Sequence, residues 1–98
     1  MLKWTFLTNH AVVLNFIAHH PTITGYELAL EVGISERAIR RIIAELRDGG
    51  YLAKKKKGRR ILYQVKHNAP LRHKTQRDRA VGDLLKVLSA QRKKQKNE

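Results

Sequence analysis

TGYELALEVGISERAIRRIIAEL, residues 24–46, holds two helix starts and the turn between them. Thr24 followed by Glu27 is a capping box: the threonine oxygen takes the Glu27 N–H, and the glutamate reaches back to the Thr24 N–H. Ile23 and Leu28 stand where a hydrophobic staple needs them, and Leu28, Ala29 and Val32 supply a buried stripe. Gly33 offers the left-handed exit. Ser35 then caps a second helix, with Glu36 in its first turn where negative charge suits the helix dipole. Ile34 and Ile39 repeat the staple, while Ile39, Ile42, Ile43 and Leu46 recur at i, i+3, i+4 and i+7 until Gly49-Gly50 ends the run. Two capped helices joined by Val32-Gly33-Ile34-Ser35 predict a tight helix-turn-helix.

Towards the N-terminus, Thr8 to His19 reads as another helix. Ala11, Leu14, Ile17 and Ala18 form its stripe, widened by Val13 and Phe16, and Pro21 ends it. Trp4, Phe6 and Leu7 are expected to pack onto the same core, and Thr22-Ile23 to form a short extended piece. Towards the C-terminus the period changes. Tyr51-Leu52-Ala53 leads into a lysine run, Gly58 offers a turn, and Ile61, Tyr63 and Val65 alternate with Leu62 and Gln64, which predicts a β-hairpin with a basic tip. Asn68-Ala69-Pro70 reads as a linker, and a last helix is expected from about Thr75 to Ala90. The fold class that follows is mainly α with a small β-hairpin: a winged helix-turn-helix, three helices plus a wing, with an added C-terminal helix. Residues 1–70 form the winged domain, 71–90 the added helix, and 91–98 a basic tail expected to be disordered.

Charge narrows the partner. The chain has 98 residues and a formal net charge of +13, more than solubility requires, so its partner is an acidic polymer or surface. Residues 53–66 concentrate this charge in Lys54, Lys55, Lys56, Lys57, Arg59, Arg60 and Lys66 without one acid. No apolar run is long enough to cross a bilayer, and the first ten residues are too polar for a secretory signal. With no cysteine there is no disulfide or thiolate metal site, which suits a reducing cytoplasm.

The buried stripe of helix 35–48 turns Arg37 and Arg41 outward, with Arg40 on the flank and Ser35 and Glu36 at the N-terminal end. Arginines at i and i+4 on an open face can fork onto guanine O6 and N7 in a major groove, or onto phosphates. The plainer alternative is a solvated face with intrahelical pairs, for example Arg41 with Glu45. The helix starts at Thr24 and Ser35 can give N–H groups to phosphates. Tyr26 either packs or meets the sugar-phosphate backbone; both readings stay open. Lys55, Lys56, Lys57, Arg59 and Arg60 crowd the wing tip, where phosphates would neutralise them and an arginine could enter a narrow minor groove. His19 and His20 are adjacent and point about 100° apart on a helix, so they do not chelate one metal. No nucleophile–base pair, carboxylate pair or phosphate loop stands out, so no catalytic residue, metal or cofactor is expected and the chain does not read as an enzyme.

The chain resembles MarR-type winged helix-turn-helix regulators, and more narrowly a group of short bacterial ones. The signatures are WTFLTNHA at 4–11, VGISERAIRRIIAEL at 32–46, GYL at 50–52, GRR at 58–60, APLRH at 69–73 and VGDLL at 81–85. The resemblance implies a cytoplasmic, nucleoid-associated transcription factor with recognition helix 35–48 and wing tip 55–60. It departs from the larger MarR proteins in lacking their extra N-terminal helix. It also carries Lys57-Gly58-Arg59-Arg60 where many have an Asp-x-Arg type motif.

The expected partner is double-stranded DNA. A homodimer is expected through Val81, Leu84, Leu85 and Leu88, which share one face of the last helix; the alternative is that this helix folds back onto helix 8–19. Two other functions fit the charge: a non-specific architectural nucleic-acid binder, and a winged-helix module that meets an acidic protein. The residues name no small-molecule effector.

Overall fold

The computed structural model describes residues 4–89. Four helices and one hairpin follow in the order α1 (Asn9–His19), α2 (Gly25–Val32), α3 (Glu36–Asp48), β1 (Leu52–Lys57), β2 (Arg60–Val65) and α4 (Val81–Ser89). This is a winged helix-turn-helix with an added C-terminal helix.

Each helix of the motif begins on the cap its sequence supplies. Thr8 accepts from the Ala11 N–H at 3.3 Å, and Ser35 from the Ala38 N–H at 3.1 Å. Both halves of the Thr24 box are made, with Glu27 N–H to Thr24 Oγ1 at 3.1 Å and Thr24 N–H to Glu27 Oε1 at 3.0 Å. The Thr24 N–H holds the Glu27 carboxyl below its usual range, so that half of the box persists at neutral pH and is lost as acid protonates it. Thr24→Ala is expected to lower unfolding stability by about 1 kcal/mol, read as a shifted urea midpoint; an unchanged midpoint would contradict the cap's role.

Gly33 leaves α2 at φ 82°, and the chain leaves α3 one residue later than its cap, at Gly50 with φ 85°. There Tyr51 N–H bonds back to the Leu46 carbonyl at 2.9 Å, closing the end of α3 and aiming the chain into the hairpin.

One core joins all the helices. Val13, Leu14 and Ile17 of α1, Leu28 of α2, and Ile39, Ile42, Ile43 and Leu46 of α3 are buried with Tyr51, Leu52, Val81 and Leu85. The wing is pinned to this core at its root. Tyr63 N–H donates to the Pro21 carbonyl at 2.8 Å, so the segment before α2 touches β2 through one strand-like bond but is itself a turn rather than an extended piece. The strands pair antiparallel from Leu52↔Val65 to Lys57↔Arg60, and Gly58 takes φ 62° in the turn between them.

Three further expectations need correction. Trp4 and Phe6 do not enter the core: they are 68% and 93% exposed and stack edge-to-face on each other, centroids 5.1 Å apart, while Leu7 is half-buried. The last helix starts at Val81, not Thr75. Pro70 and Ala80 bridge antiparallel, with Leu71 N–H on the Arg79 carbonyl and Val81 N–H on the Ala69 carbonyl, so residues 71–79 are closed into a loop. Within it the His73 ring takes the Thr75 N–H, a local bond that competes with helix. Finally, α4 folds back onto α1, and Val81 and Leu85 are buried in the chain's own core rather than left on an open stripe; Leu84 and Leu88 are half-buried. Close packing fixes this docking. Gly82 N–H bonds the His67 carbonyl at 2.9 Å, and a Cβ on Gly82 would stand 2.8 Å from that oxygen. The tail 91–98 and Ala90 lie outside the described residues.

Candidate nucleic-acid interface

Because Ile39, Ile42, Ile43 and Leu46 commit one side of α3 to the core, its other side is open: Ser35, Glu36, Arg37, Arg40 and Arg41 are all exposed. Arg40 is drawn along the helix to Glu36, 3.4 Å away. The expected alternative for Arg41 was its neighbour Glu45, but Glu45 turns instead to His10 of α1, with Nε2 to Oε1 at 2.7 Å. That hydrogen bond holds the Glu45 carboxyl below its usual range. Arg37 and Arg41, one turn apart on the outer face, have no ion-pair partner among the described residues.

The starts of α2 and α3 lie side by side. A Cβ built on Gly25 would be 3.8 Å from Glu36 Oε2. Thr24 and Ser35 accept N–H groups as caps, which leaves each hydroxyl hydrogen free to donate outward. Tyr26, on the first turn of α2, is 61% exposed, so the packing alternative for it falls away. One surface therefore presents two hydroxyls, unpaired helix N–H groups, a phenol and two exposed guanidinium groups. That set suits an anionic, hydrogen-bonding backbone with base edges beyond it.

The wing adds charge beside this surface. Every residue from Lys54 to Arg60 is exposed. In the ladder Lys54 and Lys56 share one face, Lys55 and Lys57 the other, with Arg59 in the turn. Lys55, Lys56, Lys57 and Arg59 thus stand free at the tip. Arg60 differs: it lines a cleft of about 450 Å³ with Phe16, His20 and Glu27, and its charge helps to hold the Glu27 carboxyl down. Sequence reasoning missed the His10–Glu45 pair and the approach of Arg60 to the α2 cleft, because no local spacing signals a proximity that only the tertiary fold creates.

Among the described residues, no three His, Asp or Glu side chains gather in a way that could hold a metal ion, and no helix is long and apolar enough to cross a membrane. No curated protein matches the chain. The HTH domain family does, over residues 10–66, which runs from α1 to the end of the wing and covers more than half of the chain. That span contains every residue of the surface just described. The chain belongs to the HTH domain family, a family of DNA-binding helix-turn-helix domains rather than of enzymes.

Proposed function

We propose that the protein is a sequence-specific transcription regulator that lays α3 in the major groove of double-stranded DNA and its wing on the backbone or in the adjacent minor groove. The observation that carries this reading is the pair Arg37 and Arg41, exposed one turn apart on α3 with no ion-pair partner among the described residues. A helix-turn-helix reads bases with the N-terminal part of its second helix while the first lies across the backbone. In that pose Arg37 and Arg41 meet base edges, Glu36 and Arg40 flank them, and Thr24, Tyr26 and Ser35 hold phosphates. Lys55, Lys56, Lys57 and Arg59 add the wing contacts, with Arg60 at their inner end. The signatures that resemble MarR-type regulators support a regulatory role in the cytoplasm, on the nucleoid. The protein acts in this reading as a homodimer on an inverted repeat whose half-sites lie about one helical turn apart.

Selecting bound sequences from a random duplex pool tests the reading. Enrichment of one motif with two-fold symmetry supports it, and a pool that stays random sinks it. The wing has a separate signature. Replacing Lys56 and Lys57 by alanine is expected to weaken all duplexes alike and to reduce the slope of log affinity against log salt by about 0.9 per lost phosphate contact. A changed sequence preference with an unchanged slope would mean that the wing reads bases instead.

A further inference from the structure

A groove of about 850 Å³ runs between α1, the C-terminal end of α3, the loop 71–79 and α4. Leu14, Leu46, Leu71 and Leu84 give it an apolar wall, and Thr8 stands at its rim. Just before Thr8 the chain carries Trp4 and Phe6, stacked on each other and otherwise in solvent. Two large aromatic rings left out of the core beside an unfilled apolar groove are a knob and a hole on one molecule. We propose that the Trp4–Phe6 arm of each copy docks into this groove on a second copy, so that two arms are exchanged about a two-fold axis. The proposal rests on the reading of the protein as a DNA-binding homodimer and names the surfaces that join it.

Charge favours this face. Two chains of net charge +13 repel each other, most of all through their wings. The arm WTFLT, residues 4–8, is uncharged, and the groove wall sets Glu45 and Asp48 against Arg72. Here the uncharged arm of one copy meets a lining in which acids outnumber arginine, unlike the wing. Area favours it as well. Four aromatic rings bury about 150–250 Å² each. With the groove walls they cover, they come to about 1,000 Å², the size at which a specific interface begins. Position completes the case. The groove uses the C-terminal end of α3, and Arg37 lies near the other end of a helix 13 residues and about 20 Å long. Docking there leaves both reading ends free. It also covers Leu84, one of the two residues of the α4 stripe that the chain's own core leaves half-buried.

Trp4 is the only tryptophan in the chain, so it reports on its own docking. Sedimentation and Trp4 emission are measured together on the full chain while its concentration is raised. The expected result is one transition in both: mass doubles from 11.3 kDa as emission moves to the blue. Phe6→Ala, which removes a ring that is 93% exposed and so leaves the fold intact, is expected to raise the dimer dissociation constant at least tenfold. The Phe6→Ala monomer should bind a single half-site duplex as wild type does and lose only its preference for the inverted repeat. That separates failure of the arm from failure of DNA reading. Three outcomes overturn the proposal: a monomer at all concentrations, whatever the colour of its emission; a dimer whose formation leaves Trp4 emission unchanged; or a Phe6→Ala protein that dimerises like wild type.

Discussion

An Arg41→Ala protein is expected to bind its selected duplex about 1–3 kcal/mol more weakly than wild type, and to bind random duplex almost as well. The expectation rests on where the guanidinium group stands. Arg41 is exposed on the outer face of α3, and the acid one turn away, Glu45, is already held by His10. A group with no partner inside the protein loses little on leaving water only if its new partner is matched in geometry, and a guanine edge offers two acceptors to its fork. Discrimination at one base position should fall with it, while other positions keep theirs. Thermal stability should not change, because Arg41 lies outside the core. Unchanged affinity for the selected site would remove Arg41 from the readout.

Ile39→Ala should act in the opposite way. Ile39 is fully buried, on the same helix and two residues from Arg41. Cutting it back removes apolar contacts and leaves a cavity at the junction of the helices, at a cost of about 2–5 kcal/mol. A small domain has a total stability of only about 5–15 kcal/mol, so the urea midpoint should drop steeply. DNA binding should fall in proportion to the unfolded fraction, and recover when cooling or a stabilising salt restores the fold. A midpoint within error of wild type would mean that this side of α3 does not face the core. Together the two variants separate reading from folding on opposite sides of one helix.

The motif itself was legible because its signals are local. Thr24, Glu27, Gly33, Ser35 and the spacing of Ile39, Ile42, Ile43 and Leu46 each act within about one or two turns of chain, and the structure places all of them as their chemistry requires. The hairpin was legible for the same reason, from Gly58 and the alternation through Val65. What was not legible depends on distance along the chain. The stripe Val81, Leu84, Leu85 and Leu88 has the spacing of a buried face, but spacing does not say against what it is buried. The answer came from the Pro70–Ala80 bridge and from Gly82, whose missing side chain lets α4 lie against His67. Trp4 and Phe6 misled for a related reason: aromatic character marks a wish for burial, not the place where it is met. In the site, the outward face of Arg37 and Arg41 followed from helical period alone. That Glu45 makes its hydrogen bond to His10 did not, since His10 and Glu45 are 35 residues apart.

Competition binding at a fixed, near-physiological salt concentration tests the central claim most directly. The affinity of the wild-type protein for its best selected duplex is divided by its affinity for a shuffled duplex of the same length and composition. Because both carry the same phosphates, the non-specific charge term cancels from the ratio, and what remains is the reading of bases and shape. The account predicts a ratio of about 10³ or more. A ratio near one, with steep salt dependence on both duplexes, would contradict it and leave a protein that holds DNA by charge alone.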